Sequence, residues 1–208
     1  MTYVFDLDGT LIDSRKRHWM LMDKLLRQHG IKVPDSFQTS FLSYKADGHT
    51  GLDYLTLKMN IPNNIAEKIQ TEWIVHIEDE ELQKHDVLFP DVISTLSMIN
   101  DRILLVTLRN NENNLRRSLK KLRLEKYNTI VLKHGSSKTS VLRTIKDDLI
   151  MIGDTETDYE AAVEAQCRYY ILNRGFRSEL FWKKRNVRSY SGLDELWFQV
   201  QKNVDSIS

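Results

Sequence analysis

Two aspartates that follow the first apolar segment are the clearest chemical feature of the sequence. Residues 3–5 predict a short buried strand, and Asp6-Leu7-Asp8-Gly9-Thr10 follows it directly. Side chains two positions apart on a strand share a face, so Asp6 and Asp8 would bring two negative charges together. A cation or a shared proton makes such a pair tolerable, and Mg²⁺ suits carboxylates that also face waters or phosphate oxygens. A simple turn would explain Asp8 and Gly9 but not Asp6.

Three other segments are predicted to reach the same edge of a parallel sheet. Thr107 ends one apolar strand, Asp154 follows another, and Lys138 begins a helix. Ligands bind beyond the carboxyl ends of the strands in open α/β sheets, so these side chains should converge on Asp6. A third carboxylate in an already anionic pocket makes sense chiefly if a divalent cation binds there.

Two of these residues have competing interpretations. Asp158 follows Asp154 closely enough to be a further ligand, but Thr155 and Asp158 also have the spacing of a helix capping box. A cation at position 138 opposes the helix dipole at a cost of about 0.3–1 kcal/mol, which favours a functional role for Lys138. Lys133 is the alternative, because it lies closer to the end of its own strand.

The elements that position these residues predict an α/β protein with a helical insertion. Apolar residues at helical spacing dominate residues 14–86, where no convincing strand appears, and strands alternate with helices from Phe89 onward. That alternation predicts a Rossmann-like, mostly parallel sheet with helices on both faces. We therefore expect a core domain formed by residues 1–13 and 87–208, and an α-helical cap domain formed by residues 14–86.

The composition gives no indication of a charged macromolecular partner. The chain has 208 residues, with 30 basic and 29 acidic side chains and a formal net charge of +1. We therefore expect neither a nucleic-acid nor a membrane partner, and no apolar stretch approaches the length of a membrane span. The single cysteine, Cys167, cannot form an internal disulfide, which fits a cytoplasmic location. The basic run Arg15-Lys16-Arg17 is interpreted as a solvated helix face.

Taken together, these motifs resemble the haloacid dehalogenase-like hydrolase superfamily. The resemblance is to its capped phosphatases, of the phosphoglycolate phosphatase and β-phosphoglucomutase type. The first motif of the family matches Asp6-Leu7-Asp8-Gly9-Thr10, the second Thr107, the third Lys138, and the fourth Gly153-Asp154 with Asp158. Lys138 departs from the common form of the third motif, in which a proline follows the lysine.

The resemblance implies a Mg²⁺-dependent phosphatase that hydrolyses a small phosphorylated metabolite through an aspartyl-phosphate. Asp6 would be the nucleophile and Asp8 the general acid and base, with a pKa raised by nearby negative charge. Thr107 and Lys138 would bind the phosphate. The expected metal ligands are Asp6, Asp8, Asp154 and Asp158, and the residues expected beside the substrate include Gly9 and Thr10. A phosphomutase, or a non-catalytic binding protein that retains the fold, is the alternative.

A polar, glycine-containing loop in the insertion is the candidate for substrate recognition. Residues 44–53 read Tyr-Lys-Ala-Asp-Gly-His-Thr-Gly-Leu-Asp, and caps of similar proteins place such a loop over the active site. Lys45 and His49 are candidates for contacting the leaving group of the substrate, as is Arg109 just beyond Thr107. Exposed lysines and histidines in loops are usually only solvated, so this simpler interpretation stays open for each of them.

Overall fold

A six-stranded parallel sheet forms the centre of the protein. The computed structural model describes residues 1–133 and 135–205, with side chains to residue 202. The strands are β1 (Thr2–Phe5), β2 (Ile12–Asp13), β3 (Val87–Leu88), β4 (Arg102–Leu108), β5 (Asn128–Leu132), β6 (Leu149–Gly153), β7 (Arg168–Leu172) and β8 (Ser189–Tyr190). The sheet order is β5-β4-β1-β6-β7-β8, and every pairing in it is parallel. The predicted α/β fold class is confirmed.

Helices cover both faces of this sheet. The α-helices are α1 (Arg15–Gln28), α2 (Phe37–Ala46), α3 (Gly51–Asp53), α4 (Asn63–His76), α5 (Glu80–Gln83), α6 (Val92–Met98), α7 (Glu112–Lys121), α8 (Thr139–Thr144), α9 (Glu156–Glu164), α10 (Glu179–Lys183) and α11 (Leu193–Asp205), and a π-helical turn spans Tyr54–Lys58. Tyr3 and Phe5 pack in one apolar cluster with α6, α7 and α11, whereas Val4 packs in another with α8 and α9. This alternation follows from the two-residue period of the strand.

Strand β1 lies at the middle of the sheet and fixes where its own end meets the others. Phe5 pairs with Leu105 on β4 and with Ile152 on β6. The residues that follow these three positions therefore leave the sheet at the same edge. This register places the carboxyl ends of β1, β4 and β6 side by side, where ligands bind in open α/β sheets.

The helical segment between β2 and β3 has an apolar core of its own. Its buried side chains run from Leu21 on α1 to Ile77 after α4, and none of them belongs to the clusters on the sheet. Strands β2 and β3 pair antiparallel, with Ile12 opposite Leu88 and Asp13 opposite Val87. The chain therefore enters and leaves the helical segment through two paired strands, which were not predicted because two residues carry no periodic pattern.

Most of the predicted helices and strands are present, and the differences are local. Within the segment predicted to be helical, Gly51–Asp53 forms a short α-helix that continues as a π-helical turn over Tyr54–Lys58. Thr155 and Asp158 form the predicted capping box at the start of α9. Strand β8 and helix α10, near the carboxyl end, were not predicted. Within the described part of the chain, no helix has the length and apolar character that crossing a membrane requires.

Candidate active site

Asp6 directly follows β1, and its side chain pairs with Lys138, which is distant from it in the sequence. Its backbone N–H donates to the carbonyl of Ile152 at 2.9 Å, which extends the parallel ladder by one residue. Its side chain accepts from Lys138, whose Nζ lies 2.5 Å from Asp6 Oδ1 and 2.6 Å from Asp158 Oδ1. Lys138 is 2 % exposed, whereas Lys133 is exposed. The structure therefore brings Lys138, and not Lys133, to the site.

Three buried carboxylates meet beside this lysine. Asp6, Asp154 and Asp158 each offer an oxygen atom, and the three atoms lie within 4.8 Å of one another. Asp154 is held from two sides, because Thr10 Oγ1 donates to it at 3.1 Å and the Phe176 N–H donates to it at 2.8 Å. These contacts orient Asp154 toward the other two carboxylates.

Asp158 forms the predicted capping box and also makes a second contact, with the site lysine. Its Oδ2 accepts from the Thr155 N–H at 3.2 Å and from the Thr155 hydroxyl at 2.9 Å, as a capping box requires. Its Oδ1 accepts from Lys138. Asp158 therefore begins helix α9 and also positions the lysine that contacts Asp6.

Glycines make room for the carboxylate of Asp154. Gly9 has a φ of +86°, and a Cβ atom there would lie 2.2 Å from Asp154 Oδ2. A Cβ atom on Gly175 would lie 2.1 Å from the same oxygen. Gly9 and the fully buried Thr10 were expected beside the substrate, but the structure places both against Asp154. Their contact with Asp154 follows from the sharp turn that Gly9 makes at the end of β1.

With all three carboxylates ionised, this group would carry more negative charge than Lys138 balances, and the pKa values show the resulting strain on ionisation. Burial raises the pKa of Asp6 to about 7, with Lys138 opposing the rise and Asp158 adding to it. Burial also raises the pKa of Asp154 well above its ordinary value, and the carboxylates of Asp6 and Asp158 add to this effect. One lysine balances only one of three carboxylates. Because carboxylate oxygens are hard ligands and their charges are unbalanced, the group fits a divalent cation such as Mg²⁺.

The side chain of Asp8 does not join this group. Its Oδ2 lies 2.6 Å from an Arg109 terminal nitrogen, and its Oδ1 accepts from Arg17. Burial alone would raise the pKa of Asp8, but Arg109 and Arg17 outweigh it and lower the pKa to about 2. The prediction of a raised pKa for Asp8 is therefore wrong, because the two guanidinium groups paired with it outweigh the effect of burial. The expected role of its side chain as a metal ligand also lacks support in this geometry.

Arg17 is the main residue of this site that the sequence interpretation missed. The basic run was interpreted as solvated, but Arg17 is 2 % exposed while Lys16 is exposed. Its guanidinium also donates to the carbonyl of Ile77 at 3.1 Å and pairs with Asp86 at 3.1 Å. Helical periodicity gave a usable signal, because Arg17 lies four residues before the buried Leu21 and so shares its face.

A cavity of about 160 Å³ opens between the sheet and the helical segment. From the sheet side its walls include Asp6, Asp8, Thr107, Arg109 and Lys138. The helical segment contributes Arg17, His18, Trp73, Ile77 and Glu78, and Phe176 lies between the two groups. Four of the predicted site residues therefore line the same cavity: Asp6, Thr107, Lys138 and Arg109.

Lys45 and His49 line a neighbouring cavity of about 260 Å³ that shares the walls Trp73 and Phe176 with the first. Lys45 Nζ lies 3.3 Å from His18 Nδ1 and 4.7 Å from the centre of the Phe176 ring. Burial, with a smaller contribution from Arg177, lowers the pKa of Lys45 to about 8. His49 stacks on Tyr44, with ring centres 4.0 Å apart. Neither residue faces the first cavity directly.

Glu78 joins the helical segment to the loop that follows Thr107. Its carboxylate, 5 % exposed, accepts from the N–H groups of Asn110 and Asn111, the second at 2.6 Å. Asn114 donates in turn to the Glu78 carbonyl at 2.8 Å. No sequence pattern indicated this role, because Glu78 stands in the acidic run 78–81, which is typical of a solvated surface.

Comparison with known proteins identifies the family to which these motifs point. A family model of haloacid dehalogenase-like hydrolases matches residues 1–166. No curated protein matches the chain closely enough to count as a relative. Among solved structures, a haloacid dehalogenase-like hydrolase from Streptococcus pneumoniae superposes with a TM-score of 0.72 at 17% identity, covering 95% of this chain and 97% of its own.

Two further structures share the fold over nearly their full length. A predicted phosphatase from Clostridium acetobutylicum has a TM-score of 0.69 at 20% identity, with 97% of this chain and 98% of that chain covered. A protein provisionally named a phosphoglycolate phosphatase, from Lactobacillus delbrueckii, has a TM-score of 0.69 at 17% identity, with 94% and 96% covered. At these identities the likeness shows the fold.

Proposed function

Because the chain belongs to the haloacid dehalogenase-like hydrolase family, we propose that it is a Mg²⁺-dependent phosphatase acting on a small phosphorylated metabolite. The observation that carries the proposal is the Asp6 carboxylate, which lines a cavity while Lys138 holds it beside two further carboxylates. The similar structure from Clostridium acetobutylicum, which is described as a predicted phosphatase, supports the same reaction class.

The substrate phosphate would bind where the cavity is lined by Thr107 and Lys138. A phosphate monoester is a dianion, so an anionic nucleophile can approach it only where positive charge offsets the repulsion. Lys138 supplies one such charge, held in place by Asp158. A Mg²⁺ ion held by Asp6 and Asp154 would offset the remaining negative charge when bound.

In the first half of the reaction, a carboxylate oxygen of Asp6 would form a bond to phosphorus as the bond to the leaving oxygen breaks. This step gives an aspartyl-phosphate, and Asp8 would donate the proton that the leaving oxygen takes up. In the second half, water would attack the phosphorus and give its proton to Asp8, which frees Asp6 and releases phosphate. The guanidinium groups beside Asp8 favour its ionised form, which is the form that the second half requires. The first half requires the protonated form, which the negative charge of a bound phosphate would favour.

The helical segment of residues 14–86 would serve as a cap over the reaction. Arg17, Trp73 and Ile77 already form part of the cavity wall, so closure of this segment would exclude water from the substrate. The cavity that contains Lys45 and His49 would receive the part of the leaving group that extends beyond the first cavity. These residues would then set specificity, while the sheet residues carry out the chemistry.

A screen of phosphorylated metabolites for phosphate release, with and without Mg²⁺, tests this function. We expect release of phosphate only with Mg²⁺, and a phosphorylated Asp6 peptide after acid quenching and mass spectrometry. Asp6→Asn is the matched control, because an amide has nearly the same shape but is a poor nucleophile. Undiminished turnover by Asp6→Asn, or by the wild type after exhaustive chelation, would contradict the proposal.

A further inference from the structure

We propose that Arg17 is a positioning residue that fixes the carboxylate of Asp8, so that proton transfer to the leaving group depends on the helical segment being closed over the sheet. This inference rests on the proposed function, since it assigns a role within the same reaction. Arg17 belongs to α1 of the helical segment, whereas Asp8 belongs to the loop that follows the central strand.

The guanidinium of Arg17 is held on three sides. One terminal nitrogen donates to the carbonyl of Ile77 at 3.1 Å, Nε lies 3.1 Å from Asp86 Oδ1, and the other terminal nitrogen donates to Asp8. Ile77 follows α4, and Asp86 precedes β3, so both of these partners belong to the helical segment or its exit. A guanidinium fixed by two such contacts presents its third edge to Asp8 in one direction only.

Asp8 is held through both of its oxygens, by two arginines of different origin. Arg109 follows β4 and contacts Oδ2 at 2.6 Å, while Arg17 contacts Oδ1. Both oxygens must be engaged for the plane of the carboxylate to be fixed. Without Arg17 the contact to Oδ1 would be lost while the contact of Arg109 with Oδ2 would remain, so the plane of the carboxylate would be less strictly fixed. The helical segment therefore supplies one of the two contacts that orient Asp8.

The position of Arg17 in the chain links this contact to closure. Arg17 lies on the first turn of α1, four residues beyond the end of β2, so its backbone belongs to the helical segment. Asp8 and Arg109 lie at the carboxyl ends of β1 and β4 and remain with the sheet. Opening the helical segment would separate Arg17 from Asp8, whereas Arg109 would stay in place.

A purely structural role for Arg17 makes a different prediction. Replacing every member of a buried ion-pair group with apolar residues is often neutral, but removing Arg17 alone leaves Asp8 and Asp86 without this partner, so some loss of stability is expected whichever role Arg17 has. If Arg17 only supported the fold, its removal would affect every substrate alike. If it positions Asp8, the loss should depend on how much help the leaving oxygen needs from an acid.

The test compares Arg17→Met and Arg17→Lys on two aryl phosphates, phenyl phosphate and 4-nitrophenyl phosphate. Lys16→Met is the matched control, because Lys16 is the exposed neighbour of Arg17 on the same helix turn. We expect Arg17→Met to lower kcat for phenyl phosphate by about 10–100-fold, below the 10²–10⁴-fold of a general acid removed outright. The loss for the activated nitrophenyl ester should be under about threefold, KM should change little for either, and Arg17→Lys should be intermediate.

Equal losses of kcat on both substrates, no loss on either, or a rise of KM alone would overturn the inference. Thermal unfolding of each variant reports whether the fold is retained, and Arg17→Lys keeps the test decisive if Arg17→Met does not fold. A wild type that releases no phosphate from either ester or from any metabolite contradicts the proposed function, and the inference with it. An active wild type with uniform losses in the variants contradicts the inference alone.

Discussion

Lys138 donates a hydrogen bond to Asp6 at 2.5 Å, although the two residues stand 132 positions apart in the chain. Asp6 directly follows strand β1 and Lys138 precedes helix α8, so the two residues come together only because the parallel sheet places these segments at the same edge. Asp158, beside both, raises the pKa of Lys138 together with Asp6, against the effect of burial. The lysine is therefore held in its charged form.

Removing this charge should damage both activity and stability. We expect Lys138→Met to abolish detectable phosphate release and to lower the free energy of unfolding by about 3–5 kcal/mol, because the carboxylates would lose their buried partner. Urea titration measures the second effect, and added Mg²⁺ should restore more stability to the variant than to the wild type. Lys133→Met is the control, since Lys133 is exposed and should change neither quantity. A stable, active Lys138→Met variant would contradict this role.

Binding of Mg²⁺ should be visible without any substrate. A ligand at 100 times its dissociation constant stabilises a folded protein by about 2.7 kcal/mol, so the melting temperature should rise as Mg²⁺ is added. Asp154→Asn should reduce this rise strongly, because Asp154 is one of the three converging carboxylates. Asp53→Asn, outside the site in a capping box of its own, should respond as the wild type does. An equal rise in both variants would place the cation elsewhere.

Lys45 predicts a pH-dependent stability. Its pKa in the folded protein is about 8, below the ordinary 10.5, so the unfolded chain binds a proton that the folded chain has released between these values. The contribution of Lys45 to the free energy of unfolding should therefore rise as the pH rises from about 8 to 10.5. We expect Lys45→Met to be more stable than the wild type at pH 7, and the difference to shrink between pH 8 and 10.5.

Urea unfolding of both proteins at several pH values measures this difference. Lys58→Met, a substitution of an exposed lysine in the same helical segment, should show a stability difference that does not vary over the window. At neutral pH Lys45 lowers the stability of the protein, as is expected of a residue that is retained for binding. A constant difference between Lys45→Met and the wild type would show that Lys45 is not desolvated.

Because Lys45 and His49 line the second cavity, we expect their substitution to affect substrate recognition and leave the chemical step unchanged. Replacing Lys45 and His49 together with alanine should lower kcat/KM for the physiological substrate by the equivalent of about 1–3 kcal/mol, the range for lost hydrogen bonds to charged groups. A small aryl phosphate makes few contacts beyond the phosphate, so its hydrolysis should hardly change. Equal losses on both substrates would assign these residues to folding or to the shared chemistry. No loss on either substrate would support the simpler interpretation, in which these residues are only solvated.

The sequence was informative wherever a periodic pattern or a local turn motif determined the structure. Alternation of apolar strands and amphipathic helices predicted the parallel sheet, and the spacing of Thr155 and Asp158 predicted the capping box. Strands β2 and β8 are two residues long, too short to show a period. Short elements of this kind are set by their partners in the fold.

Side-chain orientation at the site depends on contacts that sequence spacing does not contain. Asp8 was expected to face the same way as Asp6, but β1 ends at Phe5 and the chain turns at Gly9, so the two-residue period of a strand no longer applies. The arginines that capture Asp8 come from two other elements. Glu78 likewise acquires its role only because the start of α7 lies beside the end of α4 in the fold.

The central place of β1 has a consequence for biosynthesis. This strand is synthesised before both of its neighbours in the sheet, which begin at Arg102 and Leu149. At a synthesis rate of about 5–20 residues per second, the strand waits roughly 7–30 s before its second partner is complete. During that interval an apolar segment with unpaired backbone groups is exposed to other nascent chains and to chaperones. The apolar core of the helical segment uses only residues that are close in sequence, so this segment can form before β1 pairs with β4 and β6.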